Sequence, residues 1–330
     1  MNNTWHFLRE FESKELVKQY IKKKYQYTIT TEKALEISSA FKQGRSYFES
    51  SLNSDISVKP LLQYYGVVAL SRGLILILNK TARENTIKPS HGLKICNWST
   101  IVKTKKLENI KVKTSSGTFR ELIEATKNIS YFRGKSNYIN WESEFDIEEK
   151  DFELSLKELS YSFPDLKKSI ESWLGLSIPS TMIESLSCEN DKVEIGIRDI
   201  TFIKEIFPDD LYPNLNVKDG DYQKIVSYES NNWPNISQKW ESSFKINGDP
   251  YLQPPFTGNI FLNDIGKMFA TTFIFGTISR YYPTTWMNVT NGIENDRILP
   301  FAINYMDFIQ EKYPNIILDF IDAPYNSTEK

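Results

Sequence analysis

A chain of 330 residues with 40 Lys+Arg against 42 Asp+Glu, a formal net charge of −2, is neither a polybasic nucleic-acid coat nor a polybasic membrane binder; a local basic face is still compatible with that balance. Its 40% hydrophobic and 14% aromatic content excludes a disordered chain, and the length suits two domains or one elaborated domain. Cys96 and Cys188 cannot build a disulfide framework, and with His6 and His91 they supply no C-x-x-C or H-x-x-x-H pair to nucleate zinc. No metal or other cofactor is therefore expected.

The N-terminal MNNTWHFLREFESKEL carries charges where a signal peptide needs an apolar core, so the expected location is the reducing cytosol. Residues 4–24 predict an amphipathic helix, since Trp5, Leu8, Phe11, Leu16, Val17, Tyr20 and Ile21 recur near helical spacing. Residues 31–52 predict a second, with Thr31 as its N-cap.

The longest apolar run follows, PLLQYYGVVALSRGLILILN at 60–79. Its length approaches the roughly 20 residues of a membrane span. Arg72 interrupts it, at a cost of about 2.5 kcal/mol or more in a bilayer. Gly66 and Gly73 are seven residues apart, so they share a face that another helix can approach closely. Pro60 suits a first helical turn. The run predicts a central helix buried on nearly all sides, followed by an "HGL" loop that carries His91.

From 108 to 125, ENIKVKTSSGTFRELIEA alternates, turns at Ser115-Ser116-Gly117 and resumes, which predicts a hairpin leading into a short helix. Residues 129–150 are polar and run into the acidic ESEFDIEEKDFE, a loop or boundary by composition. Pro164 predicts a helix reaching about 174. DKVEIGIRDITFIKEIF and YQKIVSYES read as strands on either side of the Pro/Asp/Asn-rich 208–221, and 231–258 as irregular chain. Helical spacing returns over 261–281 and 297–321, the latter with a break expected at Pro314. The architecture so read is α+β and predominantly helical. Residues 1–99 and 259–330 form one helical domain, and 100–258 a β-containing insertion; no strand–helix alternation points to a doubly wound sheet.

Chemistry is sparse. Phosphate-loop, dinucleotide-binding and nucleophile-elbow motifs are absent. Glu148-Glu149-Lys150 has the letters of a nuclease E-x-K but lies in a solvated acidic segment, and Asp165 reads better as a charge at a helix start. HEPN-type ribonucleases pair an Arg with a closely following His at a helix end, where His works as acid or base and Arg stabilises phosphorane charge. Here Arg83 and His91 enclose seven residues and Pro89 prevents a continuous helix between them. Arg72 is the other candidate partner for His91.

In SRYYPTTWMN, 279–288, Arg280, Tyr281, Tyr282 and Trp286 follow a helix that Pro283 ends. Arginine among aromatics grips single-stranded bases or a partner surface, yet burial in the core is the commoner fate of such aromatics. Arg45, Tyr47, Phe48, Tyr64 and Tyr65 form a similar group for which core packing is again the simpler account.

The order of TWHFLREFES, GRSYFESS, KPLLQYYGVVALSRGLILIL, HGL, SRYYPTTWMN and YPNIILDFI resembles the YaaC-like proteins of bacteria. That resemblance carries no agreed activity. It implies a cytosolic bacterial protein, and related domains occur as companions in phage-defence loci. The expected function is a partner-binding or nucleic-acid-binding component of an antiphage system, using Tyr64, Tyr65, Arg280, Tyr281, Tyr282 and Trp286. A protein partner or a second copy of the chain is expected, nucleic acid is the other candidate, and no membrane is involved. The alternative is a HEPN-like, metal-independent ribonuclease using Arg83 or Arg72 with His91.

Overall fold

The computed structural model describes residues 3–134, 136–189, 192–220, 223–229, 241–244 and 248–324. The fold is α+β and predominantly helical. The single helix expected over 4–24 is divided into α1 (Asn3–Leu8), a 3-10 turn (Arg9–Glu12) and α2 (Lys14–Tyr25). Ser13 divides it by capping α2: its extended backbone leaves the helix, and its hydroxyl accepts from the Leu16 N–H at 3.5 Å. α3 (Thr31–Leu52) is capped by Thr30 rather than Thr31, the Thr30 hydroxyl accepting from Lys33 N–H at 3.2 Å.

α4 (Lys59–Leu78) is the apolar run. It is long and apolar enough to cross a membrane, yet 67% of its most apolar window is buried inside the protein. Glycines make that burial tight. A methyl group at Gly44 would stand 2.7 Å from Leu70, one at Gly66 2.7 Å from Phe48, and one at Gly73 2.7 Å from Phe41. α3 and α4 therefore interlock at a distance only glycine allows.

β1 (His91–Ile95), α5 (Trp98–Thr104), β2 (Lys111–Gly117) and α6 (Thr118–Ala125) follow. The hairpin expected at 108–125 is absent. Ser115 and Ser116 stay in β2, which pairs antiparallel with β1 on one side. Beyond come β3 (Ile129–Phe132) and β4 (Trp141–Glu144), a two-stranded ladder where loop was expected. β5 (Glu153–Ser155) covers the other edge of β2 and leads into α7 (Leu156–Tyr161) through a capping box of Ser155 and Glu158. A 3-10 turn at Pro164 opens α8 (Lys167–Leu174), in line with the sequence.

β6 (Thr181–Glu189), β7 (Lys192–Ile197), α9 (Ile203–Ile206), β8 (Asn216–Asp219), β9 (Lys224–Glu229), β10 (Glu241–Phe244) and β11 (Pro250–Gln253) build a six-stranded sheet, ordered β10-β11-β6-β7-β9-β8, with antiparallel neighbours. The irregular chain expected over 231–258 is thus partly strand; its portion 231–240 lies outside the described residues. The chain ends in α10 (Asp264–Tyr281), α11 (Pro283–Thr290) and α12 (Leu299–Asp322). α12 runs through Pro314 without the expected break. Loss of one ladder hydrogen bond costs about 3 kcal/mol in an isolated helix, but Tyr313, Pro314, Ile316 and Ile317 are all buried and hold the turn.

The apolar core divides elsewhere than at 100 and 258. One cluster joins the terminal helices to Ile101, Val112, Phe119, Leu154, Leu159, Trp173 and Ile178, and resumes at Phe256. A separate cluster gathers Ile183, Val193, Ile195, Ile197, Phe207, Val226 and Leu252 on the six-stranded sheet. The apolar faces of β2, α6, α7 and α8 belong to the helical core, so only about 181–253 has a core of its own.

Candidate functional site

His91 is the first residue of β1, and two glycines place it. It pairs with Gly117, and both Gly92 (φ 77°) and Gly117 (φ 146°) occupy backbone regions costly to other residues. A methyl group at Gly117 would lie 2.5 Å from Gly92 N and 2.3 Å from Ser90 Oγ. That close crossing brings the His91 ring edge-on to Tyr64 of α4, centroids 5.3 Å apart, and within 6.1 Å of Phe273 of α10. Tyr64 is seated because α10 presents Gly276 to it; a methyl group there would be 2.7 Å from Tyr64 Cβ. Phe269 and Phe273 meet the Tyr64 ring edge-on at 6.1 and 5.6 Å.

Cations close this aromatic box. Arg280, in the last turn of α10, donates from Nη1 to Tyr65 Oη at 2.6 Å, and its guanidinium lies 4.8 Å from the Tyr281 ring centroid and 5.9 Å from that of Tyr65. Tyr65 stacks in turn on Tyr47 at 5.5 Å. Arg72 follows Tyr65 by seven residues on α4, two turns along the same face. Burial, Arg280 and Arg72, in that order, hold the His91 pKa below the usual imidazole range, so the ring is neutral at pH 7. Neither arginine forms an ion pair with a carboxylate among the described residues.

Two polar atoms here are buried with no hydrogen-bond partner, Tyr64 Oη and Arg72 Nε. An unpaired buried donor costs about 1–3 kcal/mol, a cost a fold seldom carries without use. Burial raises the Tyr64 pKa, so its hydroxyl keeps its proton and can donate. The arrangement offers donors and positive charge, with no carboxylate paired to either arginine among the described residues.

The other sequence candidates lie elsewhere or do other work. Arg83 holds Glu36 through both carboxylate oxygens, Nη2 to Oε1 at 2.7 Å and Nε to Oε2 at 3.0 Å, so its charge is spent on α3. Trp286 is buried and donates from Nε1 to the Ile56 carbonyl at 2.9 Å, pinning the α3–α4 connection. Tyr282 stacks on Trp98 of α5 at 3.5 Å. Arg45 is neutralised by Glu12 and Glu49. Sequence reading took Gly117 for a turn and Phe273 and Gly276 for a helical face, and gave none of them a place at this site, because their partners are distant in the chain. Among the described residues no His/Cys/Asp/Glu group could hold a metal ion. A cavity of about 650 Å³ lies near α12, and Arg133 in its lining is paired with Asp319 and Asp322.

The model of the YaaC-like protein family matches residues 9–321. The chain belongs to the YaaC-like protein family. No curated protein and no solved structure matches it. The matched span includes every element of the His91 cluster and also the six-stranded sheet, so this YaaC-like chain carries that sheet within the family region.

Proposed function

We propose that this YaaC-like chain is a binding component that grips single-stranded nucleic acid across the face where α4 meets the end of α10. The observation that carries the reading is Arg280, exposed, lying on Tyr65 and Tyr281 with no carboxylate to neutralise it. Tyr281 is 59% exposed, which leaves its ring face open to a base. Base–aromatic stacking contributes about 1–3 kcal/mol per base and tolerates any sequence, and arginine adds backbone charge and cation–π attraction. Fluorescence anisotropy with a short labelled single-stranded RNA or DNA tests it. Binding should weaken as salt rises, and Tyr281→Ala should lower affinity about tenfold, the loss of one stacked base. Absence of binding to either strand at low salt would end the reading.

A second reading, a metal-independent ribonuclease, draws support from the positive field of Arg72 on His91, while Glu36 takes up the charge of Arg83. A neutral imidazole can accept the 2′-hydroxyl proton while a guanidinium steadies the phosphorane. Cleavage of RNA in excess chelator, abolished by His91→Ala, would establish it; intact RNA after prolonged incubation would remove it. We attach either activity to antiphage defence on the company that related domains keep. Deleting the gene and counting plaques tests that assignment.

A further inference from the structure

Lys312, Asn315, Asp319 and Asp322 recur along α12 at intervals of three, four and three residues, so they share one face of that helix. All four line the cavity of about 650 Å³, a volume within the roughly 300–1,000 Å³ of small-molecule sites. Phe7 of α1, 47% exposed, Tyr131 of β3 and the half-buried Leu318 give the same cavity apolar walls. None of these residues belongs to the face around Arg280. We infer that this cavity is a second binding site, independent of the strand-binding reading, and that it takes a short zwitterionic peptide by both of its charged ends.

The bonds already made in the cavity show what is left over at each end. Arg133 takes one oxygen from each acid, donating from Nε to Asp319 Oδ1 and from Nη2 to Asp322 Oδ2 at 2.8 Å, while its Nη1 donates to the Asn137 carbonyl at 2.6 Å. Two carboxylates against one guanidinium leave that end with one net negative charge and two carboxylate oxygens free of protein donors. Burial raises the Asp319 pKa although Arg133 is bonded to it, so a further cation would be favourable there. At the other end Lys312 is half-buried and has no ion-pair partner among the described residues; it acts on Asp319 only through space. Between them, Asn315 Oδ1 accepts from the Thr4 hydroxyl, which leaves the Asn315 Nδ2 protons unused. A peptide ammonium on Asp319 and Asp322, a carboxylate on Lys312 and a peptide carbonyl on Asn315 Nδ2 answer all three. A simple anion or a simple cation answers one end only. Seven residues of helix separate Lys312 from Asp319 by about 10 Å along the axis. A free amino acid spans one carbon between its charges, and each added residue extends that by up to about 3.3–3.6 Å. With the long lysine side chain reaching inward, two or three residues match the span.

The test is calorimetric titration of the full chain with dileucine and trileucine, each also N-acetylated or C-terminally amidated, and with free leucine. One free-ended peptide should bind, and blocking either of its ends should weaken it about tenfold or more, the loss of a charge-assisted hydrogen bond. Lys312→Met should make the free and amidated peptides bind alike while keeping the preference for a free amine. Asp322→Asn, which retains an acceptor for Arg133, should reduce the preference for a free amine and keep that for a free carboxylate. Lys312 has no ion pair to lose, so its variant decides the matter should Asp322→Asn unfold. Tyr281→Ala should leave peptide affinity unchanged, and the peptide should not displace a labelled nucleic-acid strand, so this site and the strand-binding face succeed or fail separately. Equal affinity of free and blocked peptides for the wild type would overturn the two-ended site. Tighter binding of free leucine than of either peptide would overturn the peptide as ligand, and no binding of any probe at millimolar concentration would overturn the whole inference.

Discussion

His91 packs against the rings of Tyr64 and Phe273, and burial, with the charges of Arg280 and Arg72, holds its folded-state pKa below the ordinary value of about 6.5. As pH falls through that value, the unfolded chain takes up a proton that the folded chain resists, so the histidine makes stability fall toward acid. His91→Gln should remove this contribution. Urea unfolding near neutral pH and about one unit below the ordinary histidine value should show a smaller acid loss in the variant; an unchanged loss would mean His91 does not sense the two arginines. Arg83 provides the contrast at this scale. Its bond to Glu36 is structural, so Arg83→Met should lower the melting temperature slightly and leave nucleic-acid affinity unchanged. A loss of affinity without a loss of stability would return Arg83 to the site.

Between elements, the approach of α4 to its neighbours is set by glycines, and competing magnitudes decide the outcome of replacing them. Ala is favoured over Gly in a helix by about 1 kcal/mol, but forcing a methyl into a packed contact costs about 1–3 kcal/mol. Gly66→Ala and Gly73→Ala each meet an aromatic ring at 2.7 Å and should destabilise on balance, read as a lower denaturation midpoint. Stabilisation by either would show that α3 can withdraw without loss. Lys33 ties the same pair at the far end, its Nζ donating to the Asn79 and Lys80 carbonyls at 2.8 Å each. Lys33→Met leaves both carbonyls without this donor and should cost about 1–3 kcal/mol in chemical denaturation.

Across the whole molecule, two apolar clusters coexist in one chain, the larger under the helices and the smaller on the six-stranded sheet. Separate cores allow separate cooperative units. Hydrogen exchange should therefore find the amides of β6, β7 and β9 opening at a free energy different from those of α4 and α10. A single opening energy for both would show that the sheet and helices melt as one. Ligand at the His91 site should raise protection in α4 and α10 and leave the sheet unchanged, because the site draws only on the helical core.

The sequence by itself determined the elements whose period and punctuation are local: the 31–52 helix, the buried run of α4, the helix opened at Pro164 and the long C-terminal helices. It also carried the family resemblance and excluded the motif-borne chemistries. Tertiary structure decided what depends on distant partners. β2 reads as a hairpin arm until β1 and β5 claim its two edges, and Pro314 reads as a break until packing holds it. Arg83 is nearer than Arg72 to His91 along the chain, yet Glu36 takes Arg83 and the fold leaves Arg72 with the uncompensated charge. Charge in a site is set by which groups meet across the fold, and spacing along the chain does not fix that meeting.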